Sequence, residues 1–287
     1  MVRGAGPIVW ISRQLLLVLA AGFAAALLIS HAPGTGVDAQ ELNFHRDSAS
    51  IESIREAKQG ERSALRNFGG VLHDIAHGTL GTSDAFNVSV ADLLRQRAAL
   101  TTREISIGVG GAWMLAALLI ALERICGATM TPLFRCISAV LLLVPTAALA
   151  SLIGPVRESA ACLCVLAIVL GKVHPVGADV LLRCREQRHA AFARANGMSG
   201  ARVFFFSVLP QAAPELLALF GVSVNIAIGA AIAAEAVCDR PGIGRLAIEA
   251  AMQRDPRVII VLTMLICAVT LLANAKHSAS VAMETLR

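Results

Sequence analysis

Apolar residues along this chain collect into long unbroken runs, where a water-exposed helix or strand would alternate apolar and polar positions. Six runs reach or approach the ~20 residues that a helix needs to cross a bilayer core. They cover Ile8–Ser30, Ile105–Leu122, Cys136–Val156, Ala160–Leu182, Ala212–Val237 and Val258–Ala275. The pattern predicts an all-α membrane protein with six transmembrane helices. The third run is broken by Pro145, and the fourth is the least clean, holding Lys172, His174, Pro175 and Asp179. Gly108, Gly110 and Gly111 offer small-residue packing surfaces on the second. The first run also has a rival reading as a signal peptide ending near Ser30-His31-Ala32, but its length favours an uncleaved anchor.

Between the first two runs the chain turns polar, with acids and bases interleaved from Asp38 through Arg66. Such a stretch cannot enter lipid and predicts a solvent-exposed loop or small helical subdomain. Ser50–Ala64 is charged and helix-favouring, Val71–His77 is mildly amphipathic, and Gly78, Gly81, Thr82 and Ser83 end that pattern. The chain thus divides by polarity into an anchor (1–30), an external polar region (31–102) and a membrane core (103–287) that includes a basic segment, 183–210.

Basic residues set the orientation. Arg183, Arg185, Arg188, Arg194 and Arg202 lie between the fourth and fifth runs, Arg124 and Arg135 between the second and third, Lys276 and Arg287 after the sixth, and Arg3 before the first. With six crossings all four places share one side, which predicts both termini in the cytoplasm. The short turn Gly154–Glu158 and residues 238–257 then face outward.

Composition sharpens this picture only in places. Hydrophobic residues make up 56% of 287 and charged residues 16%, and the mean hydropathy is +0.69. A net charge of +5 would suggest nucleic acid in a soluble protein, but arginine-rich cytoplasmic loops account for it here. The seven cysteines form no CxxC pair and predict neither a disulfide framework nor a metal site. His73 and His77, one helical turn apart with Asp74 between, resemble a zinc-protease pattern but lack a third ligand; an amphipathic helix beside the membrane is the plainer reading. No GxxxxGK[ST] loop occurs, so this chain carries no P-loop for ATP hydrolysis and no cofactor is expected.

The segment Arg183–Pro210 is too polar to span and too apolar at Val203–Leu209 to be a plain loop. Helix-favouring residues run from Glu186 to Ala195, Asn196-Gly197 stops them in the manner of a left-handed cap, and Ser199-Gly200 offers a second turn. An amphipathic piece, Ala201–Leu209, leads into Pro210. A short helix held between two spans suits docking into a groove of a soluble partner. The spacing from Gly197 through nine residues to Ser207-Val208-Leu209-Pro210 resembles the cytoplasmic signature of binding-protein-dependent ABC importer permeases. Ala193-Arg194-Ala195-Asn196-Gly197-Met198-Ser199 is similar to the corresponding run of their dipeptide/oligopeptide branch.

Three further patches agree in order: His77–Ser83 near the close of the external region, Glu235-Ala236-Val237 followed by Pro241–Leu246, and Arg254-Asp255-Pro256 before the last span. The chain departs from the pattern at Ala191-Phe192, where the general signature has an acid and alanine. It also departs at Asn196, at Arg240, at the contiguous Asp255-Pro256 pair, and at Pro175 and Ala178, where the branch commonly has arginines.

The resemblance implies a type I ABC importer permease fold with a cytoplasmic coupling helix, working as a pair with a related permease. ABC ATPase subunits would dock at Ala193, Arg194, Ala195, Gly197, Leu209 and Pro210. An external solute-binding protein would deliver peptides or a related small solute. Glu235, with Asn225 in the same span and Pro241, Gly242 and Gly244 beyond it, forms the candidate translocation path and outer gate. The plainer alternatives are an ion-pair partner for Arg240 or Arg245, or interfacial exposure, for Glu235, and an interhelical hydrogen bond for Asn225. The arginines of 183–202 could also meet anionic membrane lipid, compatibly with docking. Lys172 and Asp179 could serve an ion-coupled transporter without an ATPase, although snorkelling to the membrane edge is the plainer reading. That class and a degenerate permease are the competing functions.

Overall fold

A backbone surrounded by lipid must satisfy its own N–H and C=O groups, so the apolar runs fold as helices. The structure, a computed structural model, describes residues 6–31, 64–127, 130–153 and 159–284. Among these the elements are α1 (Gly6–His31), α2 (Ala64–Ala76), α3 (Val90–Cys126), α4 (Thr131–Leu143), α5 (Thr146–Ile153), α6 (Ala160–Glu186), α7 (Arg188–Ala195) and α8 (Gly200–Val203). A π-helical turn (Phe204–Val208), α9 (Leu209–Val237), α10 (Ile243–Gln253) and α11 (Pro256–Glu284) complete them. A single antiparallel bridge, Thr82 with Ser89, is the one isolated extended pairing among the described residues. The expected helix over 50–64 and the turn Gly154–Glu158 fall, but for Ala64, outside the described residues.

Five helical stretches are long and apolar enough to cross a bilayer: Val9–His31, Val90–Cys126, Ala160–Glu186, Gly200–Val237 and Pro256–Asn274. A sixth crossing forms if α4 and α5 act together, and these meet at 97°. Pro145 causes the bend, because its ring disfavours helical geometry at the preceding residue, and Val144 is extended at φ −75°, ψ 121°. The helices expose large apolar side chains, among them Leu16, Leu28, Met114, Leu143 and Leu272, as a lipid solvent permits.

Two helix boundaries differ from those that hydropathy predicts. Helix α3 starts fifteen residues before Ile105, because a charged first turn that includes Asp92 favours helix even where it cannot favour lipid. Pro210 does not end the helix entering the fifth span. The π turn before it shifts the bonding to a wider register, with the Leu209 N–H donating to the Phe204 carbonyl, and Pro210 then sits in the first turn of α9.

Compactness divides the chain differently from polarity. One unit comprises Met1–Arg97 with Leu246–Leu271, the other Ala98–Arg245 with Leu272–Arg287. In the first, α1 packs on α2: Gly22 lies where a Cβ would meet Phe68 and Met264, and Phe23 sets its ring edge against Phe68. Asp255 anchors the start of α11. Its carboxylate accepts the Val258 N–H at 3.1 Å, the Ala85 N–H at 3.3 Å and the Ser83 hydroxyl, and both side chains of the Ser83–Asp255 pair are buried. Asp255→Ala removes this N-cap and takes away the acceptor of the Ser83 O–H, whose oxygen still accepts the Phe86 N–H; the expected cost is ~1–2 kcal/mol for the cap alone. A lowered thermal midpoint in detergent, largely restored in Asp255→Asn, would report it.

In the second unit α6 is the central helix, packed by α9, α4 and α5. Val165, Val169 and Val173 of α6 join Val109, Ala112 and Ala116 of α3 and Ala227, Ala230 and Ala231 of α9 in its core. Small residues set the spacing: a Cβ on Gly108 would fall 2.6 Å from Val165, and one on Gly171 would fall 2.9 Å from the Ser138 carbonyl oxygen. Gly111 faces Leu166, whereas Gly110 faces open space, so only two of the three glycines expected to pack do so. Two of the polar residues that made this run look unclean are buried or paired. Buried His174 lies 2.8 Å from the Ser138 hydroxyl and 3.3 Å from Glu123, and Asp179 pairs with Arg135 at 2.6 Å.

Candidate functional site

The basic segment folds as a compact helix-turn-helix on the end of α6. Helix α7 ends in a Schellman arrangement: the Gly197 N–H donates to the Arg194 carbonyl at 3.0 Å and the Met198 N–H to the Ala193 carbonyl at 3.3 Å. Gly197 is left-handed at φ +74°, the region where a side chain would be strained. Asn196 occupies the cap itself, and its side-chain amide adds a bond to the Phe192 carbonyl at 3.1 Å. Arg194 donates to the Arg185 carbonyl at 3.2 Å, one of the carbonyls that the end of α6 leaves without a helical partner.

The six sequence-predicted docking residues therefore separate into two sets. Ala193 is buried, and with Ala190, Val203 and Val208 it seats the segment on Val180, Leu181, Cys184 and Ala212. Its place in the core is set by the 3.6-residue period, which turns every third or fourth position of α7 toward α6. Arg194, Ala195, Gly197 and Pro210 are exposed and Leu209 is half-buried. Three aromatics share the exposed surface: Phe192 (71% exposed), noted in the sequence only as a departure from the family pattern, and Phe205 (61%) and Phe206 (76%), which sequence did not single out. Their signal was there to read, since phenylalanine in a polar segment without a buried face calls for a partner.

About 40 Å along α9, at 1.5 Å per residue, stands the second cluster. Glu235 is completely buried. The Thr101 hydroxyl donates to one carboxyl oxygen at 2.6 Å, and the Gly244 N–H donates to the other at 2.6 Å. Thr101 also accepts the Ile243 N–H at 2.9 Å, so one threonine and one glutamate clasp the first turn of α10. Gly242 and Gly244 make this approach possible. A Cβ on Gly242 would fall on the Glu235 carboxyl group, and one on Gly244 would lie 2.5 Å from the Cα of Ile232.

Neither ion-pair partner proposed for Glu235 is used. Arg240 pairs with Glu104 at 3.3 Å, and Arg245 pairs with Asp239. Interfacial exposure is ruled out by the burial. Glu104 and Thr101 were missed by sequence reasoning; the available signal was an acid placed directly before an apolar run. Pro241 is exposed at the turn. Asn225 stands apart, ten residues down α9, with its buried Oδ1 lacking a hydrogen-bond partner among the described residues.

His73 and His77 stack with ring centroids 4.2 Å apart, and His77 is tied through Nδ1 to the His73 carbonyl. Among the described residues no group of three His, Cys, Asp or Glu could hold a metal ion.

Residues 113–278 match the family described as binding-protein-dependent transport system inner membrane component. A di/tripeptide transport system permease protein of Pseudomonas aeruginosa (strain UCBPP-PA14) is 32% identical over 114 residues, which is 38% of this chain and 34% of that protein. An oligopeptide transport system permease protein of Bacillus subtilis (strain 168) is 30% identical over 94 residues, 33% of this chain and 30% of the relative. A probable peptide ABC transporter permease protein of Sinorhizobium fredii (strain NBRC 101917 / NGR234) is 31% identical over 94 residues, with the same coverage. The chain thus spans about a third of the length of the curated relatives it matches.

Proposed function

The chain belongs to the family of binding-protein-dependent transport system inner membrane components, and from that membership we propose that it is the membrane-spanning subunit of an ATP-driven importer for peptides or a related small solute. Energy would come from a separate ATPase subunit, since this sequence holds no P-loop. Its membrane is the bacterial inner membrane, with both termini and the segment 183–210 on the cytoplasmic side. It works beside a second, related permease and receives solute from an external binding protein.

One observation carries the ATPase-docking reading most directly. The element 188–209 is seated on the end of α6 by Ala190, Ala193, Val203 and Val208 while presenting Phe192, Phe205 and Phe206 outward. An apolar knob packed onto a span in this way transmits force that an unpacked loop would absorb. Movement of a docked ATPase pair would push on this knob and tilt α6 and α9 together, exchanging inward-open and outward-open states.

At the far end of α9 the Glu235 clasp supports a gate role for residues 238–244. A side chain with no exposure cannot touch a passing solute, so Glu235 acts by holding the turn that carries Pro241, Gly242 and Gly244. Asn225, with an unpartnered oxygen, is the residue of this set open to a ligand or to a partner helix.

The test is recovery of the tagged chain from its native membrane in mild detergent, with identification of the proteins that accompany it. A P-loop ATPase is expected, and Gly197→Asp should clearly reduce its recovery, because it adds a side chain and a negative charge at an exposed turn of the basic segment. Recovery of the chain alone, with and without the substitution, overturns the importer and favours an ion-coupled transporter.

A further inference from the structure

Behind the helix-turn-helix lies a half-open cavity of about 660 Å³, lined by α3, α6, the segment 194–209 and α9. Its size falls within the ~300–1,000 Å³ typical of small-molecule sites. Its walls are apolar, from Trp113 and Val173 at one end to Leu181 and Phe204 nearer the other, and Gly177 keeps the floor open. Three cations border it: Arg124 on the last turn of α3, Arg185 on the last turn of α6, and Arg194 on α7.

None of the three forms a direct ion pair among the described residues, and only Glu123, next in sequence to Arg124, offsets part of this positive charge. Arg124 and Arg185 stand close enough to repel one another. Glu123 itself is turned to His174. Arg194 spends one donor on the Arg185 carbonyl and keeps the rest. Guanidinium groups so arranged offer a fork to an oxyanion such as a phosphate.

Distance along the helices identifies what the anion is attached to. From Arg124 back to Trp113 is eleven residues, and from Arg185 back to Val173 is twelve, so the apolar wall extends about 16–18 Å from the cations. That is close to one leaflet, half of the ~30 Å hydrocarbon core. A free phosphate or a nucleotide would leave this wall against water, whereas an acyl chain would cover it.

We propose that the cavity binds one anionic phospholipid from the leaflet on the arginine-rich side, its phosphate on Arg124 and Arg185 and one acyl chain lying along α3 and α6. Bound there, the lipid braces the 188–209 element from behind. The proposal requires a membrane but no ATPase, so failure of ATPase recovery leaves it standing.

The experiment is a thermal-midpoint titration of the purified, delipidated full chain in neutral detergent. Phosphatidylglycerol should raise the midpoint saturably, while phosphatidylcholine at equal mole fraction and inorganic phosphate should not. The double variant Arg124→Gln/Arg185→Gln should weaken the response by about tenfold or more, as loss of charge-assisted bonds predicts. Gly177→Leu should do the same with every charge intact, because it fills the floor; the site has room for a Cβ, with Ile120 at 3.6 Å. Arg188→Gln/Arg202→Gln, exposed and outside the cavity, should respond like the parent. An equal effect from phosphate alone would make this an anion site and overturn the lipid. So would an unchanged phosphatidylglycerol response in both cavity variants, or no difference between the two lipids.

Discussion

Glu235→Ala will unfold the detergent-solubilised protein at a markedly lower temperature than the parent, while Glu235→Gln will lose much less. The carboxyl group accepts from Thr101 and from the Gly244 N–H, and alanine leaves both donors facing a dry interior. Each orphaned buried group costs ~1–3 kcal/mol. Removing one member of a buried charged network typically costs ~3–5 kcal/mol in all. For a chain of this size that is a shift on the order of 10 °C. Glutamine keeps an acceptor for one donor, and its amide can donate toward Glu104. A cycle with Thr101→Val identifies the clasp specifically: the double variant should cost clearly less than the sum of the singles, because both break the same bonds. A midpoint for Glu235→Ala within a degree or two of the parent would mean that Glu235 does not hold the turn.

Gly244→Val is the second large effect, and it acts through shape. A Cβ at Gly244 would stand 2.5 Å from Ile232 Cα and 2.6 Å from its carbonyl oxygen. The obstacle is backbone, which cannot swing aside as a long side chain can. The start of α10 must therefore move off α9, taking the Gly244 N–H away from Glu235. Overpacking costs ~1–3 kcal/mol and more where the backbone must move, and the lost bond adds to it. Gly244→Ala should already be harmful, with Gly244→Val worse. The control is Gly110→Ala, whose Cβ meets nothing within 4 Å. Relief of glycine's helix cost, ~0.8–1.0 kcal/mol, makes that change neutral or stabilising. Thermal midpoints and size-exclusion profiles of the three variants test the contrast; equal behaviour of Gly244→Ala and Gly110→Ala would refute the close approach.

Both predictions concern one end of α9, and that is where sequence and structure diverge most. The glutamate was visible as an acid in an apolar run, and its burial was legible as a cost that something must meet. What meets it was not legible. Thr101 lies 134 residues away in sequence and sits in a helix turn whose polarity suggested an external region. Arg240, the nearest cation by sequence, serves Glu104 instead. At the other end the local chemistry was sufficient. Asn196-Gly197 marks the end of α7 because a left-handed residue is needed there, and no distant contact is required to see it.

Sequence by itself predicted that the chain is helical, crosses a membrane six times, breaks at Pro145 and reverses at Gly197; the structure gives five spanning helices, or six with the bent pair. These follow from local rules: hydrocarbon forbids unpaired backbone, proline disfavours helix before it, and glycine admits positive φ. Only the tertiary structure decided that α6 is central, so that His174 could be buried in a span, and that Asp179 meets Arg135. Only it turned Ala193 inward and Phe192 outward, joined Glu235 to Thr101, and left three arginines around an apolar cavity. Each of these depends on which surfaces meet, and sequence spacing is blind to neighbours more than a few turns away.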